Sequence, residues 1–175
     1  MSDSNSAPVT TWTTLCAILL REARVERNFH QAQVADIIDK STSSWTKVEA
    51  GQSPLQLETL FRVCAFLGAA PSDVTRAAEH YADVLRQHGW VILFNLPDGI
   101  KKDPLMEMAQ SYWNSPGGKI AIRTFPFNSI LNVYRSGVDV NSNIPPVFGY
   151  ALFSDFRELQ DTPLLLDSGS LNFRL

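Results

Sequence analysis

The chain is 175 residues long, 45% hydrophobic and 19% charged, with a formal net charge of −3. That length holds one ordinary domain or two small ones, and the composition is globular and excludes wholesale disorder. The near-neutral charge excludes nucleic-acid binding by bulk basicity, so such a function needs a local positive face.

Ser2 to Thr11 is polar and carries no basic n-region, which excludes a secretory signal and leaves residues 1–12 as an expected disordered leader. No run approaches the roughly 18 to 20 apolar residues that span a bilayer, so no membrane partner is expected and the cytoplasm is the default compartment. Cys16 and Cys64 each sit inside an apolar helical pattern, as small buried thiols kept reduced.

Helical periodicity starts near Thr13. Leu15, Ile18, Leu19 and Ala23 recur at steps of three and four, with Arg21, Glu22, Arg24 and Glu26 on the opposite face. Asn28 tolerates the left-handed conformation of a C-cap and ends this helix. A second helix is predicted over Gln31 to Ile38, with Val34, Ala35 and Ile38 inward. Asp39-Lys40-Ser41 makes a turn, Ser41 caps a third helix over Thr42 to Glu49, and Gly51 stops it. Leu57, Leu60, Val63, Cys64 and Leu67 mark a fourth helix closed by Gly68. Ser72 can cap a fifth, whose Val74, Ala77, Ala78, Tyr81, Val84 and Leu85 form one stripe ending at His88-Gly89. Residues 13–88 are thus expected to be an all-α, five-helix unit.

The pattern changes at Gly89. Trp90 to Leu96 is an apolar, β-branched and aromatic run closed by Pro97-Asp98-Gly99, which predicts a buried strand and a turn. A helix is predicted over Asp103 to Trp113 and a turn at Pro116-Gly117-Gly118. Further strands are predicted at Lys119 to Phe125, Ile130 to Tyr134, Val147 to Phe153 and Leu171 to Leu175. Residues 89–175 are therefore expected to form a small α+β domain, making the fold class multi-domain.

The first half carries the one motif that points to chemistry. Gln31, Val34, Ala35, Ile38 and Val48 are followed by Glu49-Ala50-Gly51, which reads Glu-x-Gly. Over roughly residues 13 to 70 this pattern resembles the XRE/Cro family of helix-turn-helix regulators. The resemblance implies that the third helix enters the major groove of double-stranded DNA. Ser41, Thr42, Ser43 and Thr46 would then present hydroxyls to bases or phosphates, and Lys47 would reach guanine or phosphate. Gln31 resembles the residue that anchors a phosphate at the start of helix two. Arg24 stands where the family has a basic residue pairing with Glu49, which implies an ion pair stapling helix one to the end of helix three. Two positions depart from the family: Trp45 replaces a medium aliphatic as a larger core filler, and Ala50 replaces a common basic or amide residue.

The second half offers no catalytic signature. His30, His80 and His88 all precede it, so neither a His- or Cys-based metal site nor a Ser–His–acid set can form within it. No autoprotease signature surrounds Lys101, Lys102 or Lys119, and Pro116-Gly117-Gly118-Lys119 lacks the spacing of a phosphate loop. No catalytic residue, metal or cofactor is expected, and the protein is not expected to be an enzyme. Trp90, Phe94, Trp113, Phe125, Phe127, Tyr134, Phe148, Tyr150 and Phe153 would build a core or line a pocket for a protein or small-molecule effector.

The sequence as a whole reads as a two-domain DNA-binding transcription regulator, expected to act as a homodimeric repressor on a palindromic operator. The helix-five stripe of Val74, Ala78, Tyr81 and Leu85 would serve either as the dimer seam or as packing for the second domain. The alternative is a protein-interaction module, such as an antitoxin or adaptor, whose helix-turn-helix does not bind DNA.

Overall fold

The computed structural model describes residues 7–121, 129–133 and 144–163. Strand β1 (Val9–Thr11) runs into α1 (Trp12–Glu26), followed by α2 (Gln31–Ile37), α3 (Thr42–Glu49), α4 (Leu57–Leu67) and α5 (Pro71–Gln87). After β2 (Val91–Leu93) come α6 (Pro104–Asn114), α7 (Pro116–Ile120), α8 (Pro146–Leu152) and α9 (Ser154–Asp161). The described chain is mostly helical, with one two-stranded sheet.

Local chemistry explains most of the first half. Asn28 and Asp39 adopt positive φ (58° and 54°) just beyond α1 and α2, and Gly68 does so at 65° beyond α4. Asn, Asp and Gly are the residues that enter this conformation at least cost. Ser41 caps α3 by accepting the Ser44 N–H at 3.2 Å. The start of α5 lies one residue before Ser72: Pro71 occupies the first turn, and Asp73 reaches back to accept the Ala70 N–H at 3.1 Å.

Two sequence expectations give way in this half. Val9–Thr11, placed in the leader, is a strand paired in parallel with β2, Val9 beside Val91 and Thr11 beside Leu93; residues 1–6 of that leader lie outside the described residues. Thr11 ends the strand and also caps α1, accepting the Thr14 N–H at 3.2 Å. The polar face of α1 is not solvated either, because Glu22, Arg24 and Glu26 are all buried. Each has specific partners, without which a buried charge would be costly.

The second half departs further from the expected α+β pattern. The Val147 to Phe153 run is helix α8, started by Pro146 at its first position, and Ile130 lies in a turn. Period alone does not separate a short buried strand from a short buried helix, and the fixed φ of proline suits the first helical turn. Lys119 and Ile120 end helix α7, so Pro116-Gly117-Gly118 is a helix start and not a simple turn. A Cβ on Gly118 would lie 2.0 Å from the Tyr112 carbonyl oxygen, so this glycine is required by packing. Residues 122–125 and 134 of the expected strands, and the Leu171 to Leu175 strand, lie outside the described residues.

A single hydrophobic cluster joins both halves, from Leu15, Ile18 and Trp45 through Val74 and Leu85 to Tyr112 and Phe148. The α5 stripe is buried inside this chain: Val74, Ala78, Tyr81 and Leu85 are all covered. The Tyr81 ring packs on Phe148 with centroids 4.7 Å apart, and its hydroxyl donates to the Ile130 carbonyl at 2.9 Å. The stripe is covered within this chain, largely by α1, with Tyr81 reaching the second half, and is not an open seam. Phe125, Phe127 and Tyr134 lie outside the described residues, whereas Trp90, Phe148 and Tyr150 are core and Phe94 is exposed.

Candidate nucleic-acid interface

The pair α2–α3 is organised around one buried carboxylate. Glu49 accepts from Arg24 twice, Nε to Oε1 at 2.6 Å and Nη2 to Oε2 at 2.9 Å, the planar fork that suits guanidinium and carboxylate. Arg24 also donates from Nη1 to the Phe29 carbonyl at 2.7 Å, fixing the α1–α2 turn. Gln31 donates from Nε2 to Glu49 Oε2 at 2.7 Å, and the Trp45 indole N–H donates to Oε1 at 2.9 Å. Donors from three helices, α1, α2 and α3, thus converge on Glu49, whose side chain is 3% exposed. With its oxygens matched by donors, the carboxylate can be buried.

Trp45 is both core filler and polar partner. Its ring is 1% exposed, so the residue that departs from the expected aliphatic fills space and supplies an N–H to Glu49. The spacing from Trp45 to Glu49 is one helical turn, which the sequence contained as a usable signal.

The opposite face of α3 is polar and open. Thr42, Ser43, Thr46 and Lys47 are exposed, as is Ser41 at the cap. Their freedom to bind differs. Ser41 Oγ is engaged as the cap and lies 3.1 Å from Ser43 Oγ and 2.9 Å from Ser44 Oγ. Thr46 Oγ1 donates to the Thr42 carbonyl at 2.9 Å and approaches Gln31 Oε1 at 3.1 Å, which leaves it chiefly an acceptor. Gln31, at the first position of α2, is held between Thr46 and Glu49 and is half-buried. Lys47 makes no salt bridge among the described residues, so its ammonium faces solvent unneutralised.

Residues 16–78 match the family model described as a helix-turn-helix domain. This part of the chain is a helix-turn-helix domain. The helix-turn-helix is a DNA-binding motif of regulators, which points to such a role for this part of the chain. No curated protein and no solved structure matches the chain.

The helix-turn-helix domain is joined to the remainder by three carboxylates that sequence reading left without partners. Asp103 caps α6, accepting the Leu105 N–H at 3.0 Å, and also accepts the Thr10 hydroxyl at 2.9 Å, the Thr11 N–H at 3.0 Å and the Thr14 hydroxyl at 2.7 Å. Glu22 accepts the Trp113 indole N–H at 2.8 Å, and the Arg21 guanidinium lies 3.6 Å over the Trp113 ring. Glu26 accepts the Ile130 N–H at 2.7 Å and the Ser129 hydroxyl at 2.8 Å. Burial pushes the Glu26 carboxyl above the usual range, against the lowering pull of those two donors and Arg27. Only Glu22 and Glu26, spaced one turn apart on α1, gave a local hint of a shared face.

Burial pushes the thiols of Cys16 and Cys64 up to about 11, which leaves both protonated at neutral pH. Among the described residues no group of three or more His, Cys, Asp or Glu residues could hold a metal ion. No described helix is long and apolar enough to cross a membrane.

Proposed function

We propose that the protein is a sequence-specific, cytoplasmic transcription regulator that lays α3 in the major groove of an operator. The observation that carries this reading is the two-sided character of α3. Trp45 and Glu49 anchor one side in the core, while Thr42, Ser43, Thr46 and Lys47 stand exposed on the other. Thr42 and Ser43 lie in the first turn of α3, where a recognition helix meets base edges. Lys47 supplies the cation for guanine or a phosphate. Gln31 and Ser41 act mainly by fixing α2 and α3, and a flanking phosphate at the start of α2 would have to compete with Glu49 for the Gln31 amide.

The regulator acts as a homodimer, since two half-sites about 34 Å apart need two copies and one module covers little DNA. Ile37, Leu57 and Phe61 are the large apolar side chains that this half leaves exposed, and a second copy would cover them. Repression follows most directly from this design, because occluding a promoter requires only binding.

Selection of bound fragments from a genomic pool, followed by mobility-shift titration, tests the reading. Lys47→Ala is expected to weaken binding to the selected site by about 1–3 kcal/mol if the lysine reads a base, with unchanged thermal stability. Wild type and a Thr42/Thr46/Lys47 alanine variant sharing the same weak, sequence-independent binding would overturn it and favour a protein-interaction role.

A further inference from the structure

A groove of about 340 Å³ lies where the helix-turn-helix domain meets the second half. Residues 50–54, the turn that directly follows α3, line it together with Lys101 and Lys102, which precede α6. We propose that Lys101 and Lys102 contact the DNA backbone beside the recognition helix, so that the second half forms part of the DNA interface. This rests on the DNA-binding reading above and extends it to residues outside the helix-turn-helix domain.

Charge is the first argument. From Gln31 to Gln56 the chain has two cations, Lys40 and Lys47, against Asp36, Asp39 and Glu49. Duplex affinity depends on how many phosphates are neutralised, and two lysines fall short of the 6 to 10 contacts typical of strong binders. Ala50 contributes none. Lys101 and Lys102 place two more positive charges at the end of α3, on the groove that the following turn lines, beside the exposed Gln52 and the hydroxyl of Thr13.

Attachment is the second argument. The α6 helix is docked on the end of α3: Gln110 Nε2 donates to the Ala50 carbonyl at 3.2 Å. Met106 lies so close to Gly51 that a Cβ there would meet its side chain at 3.3 Å. The two lysines are therefore carried at a set offset from α3 and are not on an independent tether. Electrostatic competition within the groove is small. Asp103 is turned inward to its hydroxyl and N–H donors, and Glu107 lies 3.8 Å from Lys102 with both side chains more than half exposed. Such a solvated pair contributes little and yields readily to a phosphate.

The experiment measures affinity against salt concentration for full-length wild type, Lys101→Ala/Lys102→Ala and Lys101→Glu/Lys102→Glu. The probes are the selected site and a mixed-sequence duplex, each extending a full turn beyond the α3 footprint. Each lost phosphate contact reduces the slope of log K against log salt by about 0.9, so the alanine variant should be shallower by roughly 2 per bound protomer, and by roughly 4 for the homodimer, on both probes. A four-fold rise in salt should then cost the variant about ten-fold less affinity per protomer than it costs wild type, and on the order of a hundred-fold less for the homodimer. The glutamate variant should bind more weakly still, and both should melt like wild type because the lysines are exposed. Slopes equal to wild type in both variants overturn the proposal while leaving the α3 reading intact. A wild type that binds neither duplex overturns both.

Discussion

Residues 12–87 hold their geometry with a carboxylate from inside the unit, Glu49, whereas the second half is held against them by Glu22, Glu26 and Asp103 across the boundary. In the first case the donors (Arg24, Gln31 and Trp45) lie within 25 residues of the acceptor. In the second they lie 89 to 104 residues away. The same chemistry, a buried carboxylate saturated with donors, thus serves a local task in one region and a long-range one in the other. It follows that α3 can be oriented by short-range contacts while its surroundings are set by the second half, which reaches its end through Gln110 and Met106.

Substitutions at the two kinds of carboxylate break this comparison apart. The largest effect is expected from Glu49→Ala, which leaves the Arg24 guanidinium buried without its partner, at a cost of about 3–5 kcal/mol. Chemical denaturation should show it, and hydrogen exchange should rise throughout α2 and α3. A loss below about 1 kcal/mol would mean that the ion pair is not what holds the two helices.

Asp103→Ala is expected to cost less, about 2–3 kcal/mol, since it removes a helix cap and leaves buried hydroxyl and N–H donors unmet but strands no cation. Exchange protection should fall in β1 and at the start of α6 and hold in α2–α3. Equal loss of protection in both regions would show that the two halves unfold as one cooperative unit, erasing the distinction.

The smallest effect concerns pH. Burial holds the Glu26 carboxyl above the usual range, so just above that range the folded chain keeps a proton that the unfolded chain has lost. Stability from this group is complete below the ordinary carboxylate pKa and declines as pH rises through the raised value. Melting temperature measured across that window should fall with pH more steeply in wild type than in Glu26→Gln. Parallel curves would show that Glu26 stays ionised and that its donors outweigh its burial.

The first half was largely readable because its signals are local. Asn28, Ser41 and Gly68 act on their own helix ends, and the 3.6-residue period of Val34, Ala35 and Ile38 marks a buried face without reference to distant residues. The candidate interface was readable for the same reason, since exposure of Thr42, Ser43 and Lys47 follows from the phase of α3 once Trp45 faces inward. The second half resisted because its apolar runs are short. Val147-Phe148-Gly149-Tyr150-Ala151 fits a strand or a buried helix equally, and only packing of Phe148 on Tyr81 and Tyr112 near Tyr150 distinguishes them.

By itself the sequence determined the helix-turn-helix domain, the order of its five helices and the polar surface that α3 presents, because caps and periodicity act within a few residues. Only the tertiary structure decided that Glu22, Arg24 and Glu26 are buried, that Val9–Thr11 is a strand, and that Lys101 and Lys102 stand beside the end of α3. A charged residue reads as solvated until its partner is known, and here most of the partners come from parts of the chain too distant for any local pattern to reveal.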